Sequence, residues 1–322
     1  MRANPIVALI DQIPVAPNAP PDWLILFVQS FQQGATMDSF TVLQISDAHL
    51  SRSHAYFQDN FDACVEYIAQ IQPDLVVVSG DLTFNGPDVA DDIAFGREQL
   101  GRIECPWVAI PGNHDVGEPG ANPRLGQSID PTRLGRWQEH FGDDRFCIDL
   151  GGWRLLGINS ELLGSGLDAE SEQWDFFDTA LAGAAGRDIG FFLHKPMFID
   201  DADSLQQSPK CVYPESRQRL LQALSTAPVR FVASGHVHCY HHSTYQGLDI
   251  VWSPPTAFVD PQRDMSVPIV NRAGLIKWQF DGKRFSHAMV EPARFVNIDV
   301  TNWSRESGTS ITLPPLAHRA DP

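Results

Sequence analysis

The sequence predicts an α/β fold, and three observations predict it. From Phe40 onward short apolar runs alternate with longer amphipathic stretches, the pattern of buried strands with helices packed on them. The apolar runs close on glycine or on short polar residues, which mark turns. With 322 residues and 43% hydrophobic content, the chain is also long enough to bury a sizeable core.

Taken in order, the first 36 residues contain only short apolar patches interrupted by prolines and Asp11. They are too broken for a membrane-spanning helix, and they lack the apolar centre and cleavage site of a signal peptide. Residues 1–36 are therefore expected to be an appendage, disordered or a mis-assigned start, with the folded domain over 37–300 and a tail over 301–322. Strands are expected at 41–46, 74–80, 106–112, 189–194 and 229–235, each rich in β-branched and aromatic residues. Helices are expected at 60–71, 88–103, 169–183 and 214–225, where apolar residues recur at helical spacing. Hairpins are expected over 146–159, around Gly151 and Gly152, and over 274–290, around Asp281 and Gly282. The tail carries no clear element.

Charge and cysteine content narrow the function. The formal net charge of -17, from 23 Lys plus Arg against 40 Asp plus Glu, gives no electrostatic footprint for a nucleic-acid polymer or an anionic membrane. An anionic substrate would need local help such as a metal. Five cysteines at positions 64, 105, 147, 211 and 239 follow no paired spacing, which fits a reducing, cytoplasmic compartment and argues against a disulfide framework.

The residues that close the strands carry the chemistry. Asp47 and His49 follow the first strand, Asp81 the second, Asn113, His114 and Asp115 the third, His194 the fourth, and His236 and His238 the fifth. In an open α/β sheet ligands bind beyond the carboxyl ends of the strands, so these ends can converge on one crevice. Gly80, Gly112 and Gly235 precede three of the groups and permit close backbone approach. Two carboxylates, an amide and four imidazoles without a thiolate suit two divalent or mixed-valence transition-metal ions, drawn from Mn, Fe, Zn or Co. Strand or turn alternation would point Asp47 and His49 to one side, as it would His236 and His238. Asp81, with two oxygens, can bridge both ions.

D-x-H, G-D, G-N-H-D, a lone strand-end His and G-H-x-H, in this order, resemble the calcineurin-like metallophosphoesterases over about residues 40–290. The spacing is most similar to class III cyclic nucleotide phosphodiesterases and their glycerophosphodiesterase relatives. The resemblance implies a four-layer αββα sandwich. It implies that Asp47, His49, Asp81 and His238 hold one metal and that Asp81, Asn113, His194 and His236 hold the other. His114 would face substrate, stabilising phosphoryl charge or protonating the leaving alkoxide, with Asp115 orienting its ring. Where many cyclic nucleotide relatives continue with a second His and two prolines, this chain reads His194-Lys195-Pro196-Met197.

The implied reaction is hydrolysis of a small phosphodiester by a hydroxide shared between ions about 3.5–4 Å apart. A phosphomonoesterase of the same superfamily is the alternative, and a non-catalytic metal-binding scaffold the remote one. No separate organic cofactor is implied. Singly, Asp47 or Asp81 reads as a loop cap, Asn113 as a turn residue and His194 as a core histidine; together they read as one site. Cys239, His241 and His242 lack a second ligand pair at zinc spacing and read as surface or supporting residues. Arg52 and His54, in the loop after the first ligand pair, could touch substrate, and the plainer reading is a solvated loop.

Overall fold

The structure, a computed structural model, describes residues 39–120, 123, 126–261 and 265–300, with the backbone of Arg305–Glu306 and Ser310–Ile311. The expectation for residues 1–36, and most of that for 301–322, lies outside the described residues.

Two sheets carry the fold. In the first, β1 (Ser39–Ile45), β2 (Leu75–Ser79) and β3 (Trp107–Ile110) run parallel, and β10 (Leu275–Asp281) and β11 (Arg284–Val290) extend it antiparallel in the order β11-β10-β1-β2-β3. In the second, β5 (Trp153–Gly157), β6 (Asp188–Phe192), β7 (Val229–Ser234) and β9 (Leu248–Trp252) run parallel, flanked antiparallel by β4 (Phe146–Leu150) and β8 (His241–Tyr245). Every residue of β2 and of β6 is buried, as expected of strands covered on both faces.

The period-two alternation along the strands sorts side chains into layers. Leu43, Ile45, Val76 and Val78 pack with Phe61, Cys64 and Ile68 of α1 (Gln58–Ile71), Ile93 and Leu100 of α2 (Ala90–Leu100), and Trp137 of α4 (Pro131–Phe141). On the far side, Phe191, Val232 and Ile250 pack with Trp174 and Phe177 of α5 (Asp168–Ala182) and Leu220 and Leu224 of α6 (Pro214–Ser225). Between the sheets, Trp278 stacks on Phe231 at a centroid distance of 4.2 Å. Its Nε1–H donates to Gln44 Oε1 at 3.1 Å, and Gln44 in turn donates to Ser79 Oγ at 2.9 Å, so the polar groups of this layer are satisfied. The result is the four-layer αββα sandwich, with each predicted strand and helix present.

The differences are local. The β10–β11 turn falls on Gly282 and Lys283, because Asp281 pairs with Arg284. The β8–β9 hairpin and α4 were not anticipated; the signals were Gln246-Gly247 between two strand-like runs, and Asp130 followed by Pro131, an N-cap with proline at the first helical position. Val300 donates to Val259 O at 3.2 Å, so the chain stays tied to the fold there. The tail expected to lack elements contains a two-residue antiparallel pair, β12 (Arg305–Glu306) with β13 (Ser310–Ile311). All five cysteines are free thiols. Among the described residues, no helix is long and apolar enough to cross a membrane.

Candidate metal centre

β1, β2 and β3 of one sheet and β6 and β7 of the other present their carboxyl ends to the same place. There the loops are stitched together: Asp47 N donates to Gly80 O and His49 N to Asp81 O, both at 3.0 Å, and Gly235 N donates to His194 O at 2.8 Å. His236 N donates to both oxygens of Asp47 at 3.1 Å, joining the two sheets across the site. Asn113, His114 and Asp115 lie on α3 (Asn113–Val116), a single turn that opens directly after β3.

The strand alternation expected to align the ligand pairs is not what aligns them. Asp47, His49, Asp81, His236 and His238 all adopt left-handed backbone, with φ between 46° and 68°. Asp and His tolerate this region better than most residues, but it stores of order 1–3 kcal/mol per site, and such strain concentrates where a fold holds functional groups. Gly112 is required for contact: a Cβ there would collide with Asp81 Oδ1 and the His194 ring.

The side chains form two buried groups. Asp47, His49, Asp81 and His238 offer donor atoms all within 4.8 Å of one another, and so do Asp81, His194 and His236. Asp81 divides its carboxylate between them, with Oδ2 at 3.8 Å from His49 Nε2 and Oδ1 at 3.2 Å from His194 Nε2. His238 Nε2 is 3.3 Å from Asp47 Oδ1 and 3.1 Å from His49 Nε2.

The ring protons show which nitrogens are available. His194 Nδ1 lies 2.9 Å from Ser79 O, His238 Nδ1 3.2 Å from Phe258 O and His236 Nε2 2.9 Å from Pro209 O. A carbonyl only accepts, so each of these outward nitrogens carries the proton, and the neutral ring turns its lone pair inward. His194 Nε2 and His236 Nδ1 face each other at 3.2 Å, so with both rings neutral lone pair would meet lone pair, and a proton or a metal cation is called for between them. Both polar atoms of the Asn113 side chain are buried without a hydrogen-bond partner. Such an orphan costs about 1–3 kcal/mol unless something binds it.

Electrostatics point the same way. Burial alone would lower the His194 imidazole, but Asp81 and Asp47 push it up to about 10, so without a metal the pocket holds a proton on His194 Nε2, the positive charge whose place a metal ion would take. Burial, then the neighbouring His114, holds His49 well below its ordinary value. Burial opposes ionisation of Asp81, yet His194 and His114 hold its carboxyl well below the usual range. The residues present therefore fit a pair of divalent metal ions sharing Asp81.

His114 is half-buried at the mouth, its ring 4.6 Å from that of His49 and its backbone N–H 2.8 Å from Asp81 Oδ1. The expectation that Asp115 orients this ring is corrected. His114 Nδ1 lies 2.8 Å from Phe84 O, which holds the ring instead. The Asp115 carboxylate is taken by Gly112 N, Leu82 N, Thr83 N and Thr83 Oγ at 2.7–3.2 Å, clamping the β2 and β3 loops together. Burial and the neighbouring Asp81 push its carboxyl up to about 6.

Other expectations resolve as follows. Arg52 pairs with Glu98 at 2.8 Å and lies over Phe95 at 4.7 Å, while His54 is exposed at the rim. Cys239 is a core thiol, His241 Nδ1 is hydrogen-bonded to Pro268 O at 2.7 Å, and His242 pairs with Asp249, so the three assemble no metal group. Sequence reasoning missed a buried cluster behind His194. Lys195 Nζ lies 2.9 Å from Glu161 Oε2 and 4.0 Å from Glu118 Oε1. Burial would lower Lys195, but the two carboxylates raise it, keeping it charged. No motif links Glu118 and Glu161 to position 195, so only the fold reveals the group.

A four-layer sandwich with two Asp/His groups sharing one carboxylate at the strand ends defines a dinuclear metallophosphoesterase architecture. The chain belongs to the Metallophos family, the calcineurin-like phosphoesterases, whose sequence model matches residues 40–240. It is 29% identical over 251 residues to the glycerophosphodiester phosphodiesterase GpdQ of Enterobacter lignolyticus, covering 70% of this chain and 83% of that one. It is 31% identical over 159 residues to the serine/threonine-protein phosphatase CPPED1 of Bos taurus, where the chain spans about half the relative's length, 47%. Among solved structures, purple acid phosphatase PPD1 of yellow lupin shares the fold with TM-score 0.60 at 16% identity, over 81% of this chain and 53% of that one. A dimetal phosphatase from Danio rerio shares it with TM-score 0.55 at 13% identity, over 78% and 95%.

Proposed function

We propose that the protein is a metal-dependent phosphodiesterase acting on small phosphate esters. The observation that carries this reading is the convergence of Asp and His donor atoms around Asp81, with the buried and orphaned Asn113 amide on the adjoining turn, inside a matched metallophosphoesterase domain. Asp47, His49, Asp81 and His238 would hold one ion, and Asp81, Asn113, His194 and His236 the other. Mixed nitrogen and oxygen donors without thiolate favour Mn, Fe, Zn or Co. When bound, the pair supplies Lewis acidity and lowers the pKa of water.

The chain's own residues do the rest. The Phe84 carbonyl accepts a hydrogen bond from Nδ1–H of His114, so Nε2 is the atom left to meet an ester oxygen. As the imidazolium, with Nδ1–H held by Phe84 O, His114 is placed at the mouth to donate its Nε2 proton to the leaving alkoxide, ending as the neutral ring, or to hydrogen-bond a phosphoryl oxygen. Asp115 positions the His114 turn by fixing the loops on either side. Diester chemistry is favoured over monoester chemistry by the longer similarity to GpdQ, which covers more of both chains than the similarity to CPPED1. The functional domain is taken as 37–300, and the five free thiols support a cytoplasmic location.

The test is the Mn-loaded protein assayed side by side against bis-p-nitrophenyl phosphate, p-nitrophenyl phosphate, cyclic AMP and glycerophosphoethanolamine. Diester turnover above monoester turnover supports the reading. Monoester preference transfers it to the phosphatase alternative, and metal binding without turnover leaves the scaffold.

A further inference from the structure

A row of aromatic rings runs from the Phe84 loop, which is hydrogen-bonded to His114, to the ring of His238. Phe84, whose carbonyl holds the His114 ring, has its own ring stacked with His54 at 5.4 Å and 20°. Tyr56 follows at 6.2 Å from His54, and Phe57 at 6.1 Å from Tyr56. Phe258 lies 5.1 Å from Phe57 and 4.2 Å from the His238 ring, which returns the row to the centre. His54 is exposed and Phe84, Tyr56 and Phe258 are half-buried. The last three take part in neither hydrophobic core. Arg52, the cation in the same loop, is drawn away by Glu98, Asp91 and Phe95. The Phe84–His54 pair therefore stands at the accessible rim, joined through the Phe84 carbonyl to the residue placed to meet a leaving group.

We propose that Phe84 and His54 are specificity-determining residues that stack against a planar ring carried on the leaving-group side of the ester, of aryl or nucleoside type. This deepens the phosphoesterase reading and rests on it for the position of the leaving group. Phosphate itself gains nothing from these rings, because it is bound in the polar centre. A ring-bearing alcohol gains a stacking contact, while a glycerol-type alcohol presents no face to stack. Loss of one such stack on truncation to alanine weakens binding by roughly 5- to 150-fold.

The test separates ring recognition from catalysis. Phenylphosphonate and methylphosphonate, neither of which turns over, are titrated calorimetrically into the metal-loaded full chain. The wild type is expected to bind phenylphosphonate at least about 5-fold more tightly. Phe84→Leu keeps apolar bulk and the backbone carbonyl that holds His114. It should bring the two affinities together while leaving metal content and methylphosphonate binding unchanged, and His54→Ala should act in the same direction. KM for methyl p-nitrophenyl phosphate and for cyclic AMP, each against glycerophosphoethanolamine, identifies the aryl or nucleoside source by which value rises in Phe84→Leu. Equal or absent binding of the two phosphonates by the wild type, or equal losses for both in Phe84→Leu, overturns the proposal. Discrimination that persists without any ester turnover sinks the hydrolase reading and leaves the stacking surface standing.

Discussion

Asp81 carries more of the site than any other side chain, because each oxygen faces a different group and the His114 N–H is hydrogen-bonded to one of them. Asp81→Asn keeps the shape but removes the charge, and both metals should weaken together. The expected loss exceeds the roughly 10- to 100-fold that follows removal of an outer hydrogen-bond partner, read as metal content after dialysis. Loss of one ion alone would contradict a shared carboxylate. In the role proposed for it, His114→Ala should retain both ions while kcat falls by roughly 10²- to 10⁴-fold. That fall should be smaller for nitrophenyl esters, whose leaving groups need little protonation, than for cyclic AMP. Asp115→Asn tests a different function. Its carboxylate accepts from three backbone N–H groups and one hydroxyl, so the variant turns an amide NH2 toward a donor. A stability loss of about 2–3 kcal/mol is expected, read as a lower denaturant midpoint. Unchanged stability with a modest kcat loss would restore the ring-orienting role.

The elements place these residues by ending early. β1 stops at Ile45, β2 at Ser79 and β7 at Ser234, so Asp47, His49, Asp81, His236 and His238 stand in loops whose backbone turns left-handed, while Asn113 and His194 follow the ends of β3 and β6. The parallel register of β1 with β2 and of β2 with β3 brings three of these loops side by side. α1, α2 and α4 cover the outer face of the first sheet and α5 and α6 that of the second, which leaves the carboxyl ends of the strands to the site. If residues 1–36 are an appendage to this arrangement, deleting them should shift the melting temperature by less than about 2–4 °C, the equivalent of roughly 1 kcal/mol in a domain of this size. A larger fall in a thermal melt would mean that the segment packs on the domain.

For the whole molecule, the metal pair is a fold-linked ligand. The site gathers Asp47, Asp81 and four buried histidines from both sheets, so filling it ties the sheets together at one end. Each ion that binds only the folded chain, at about 100 times its dissociation constant, contributes roughly 2.7 kcal/mol. Chelation should therefore lower the melting temperature and abolish turnover together, and Mn should restore both. A melt insensitive to chelator would mean that the histidine cluster is held without metal. The acidic chain makes the local charge of the centre all the more necessary for an anionic substrate, since the net formal charge is -17.

The α/β class, the five strands that end at the site and the six Asp and His residues that cluster there were legible in the chain, because strand burial and turn chemistry are local and Asp, His and Gly keep their meaning at a strand end. The five blocks from Asp47 to His238 also declared the family without any contact being known. What the chain could not declare were groupings between distant segments. Phe84, rather than the adjacent Asp115, holds the His114 ring, because the β2 loop folds back over α3. Lys195 finds Glu118 and Glu161, and His54 finds Phe84, only once loops from different strands share one rim. Local pattern determines which residues end the strands; the packing of two sheets decides which of those ends meet, and meeting is what makes a binding site.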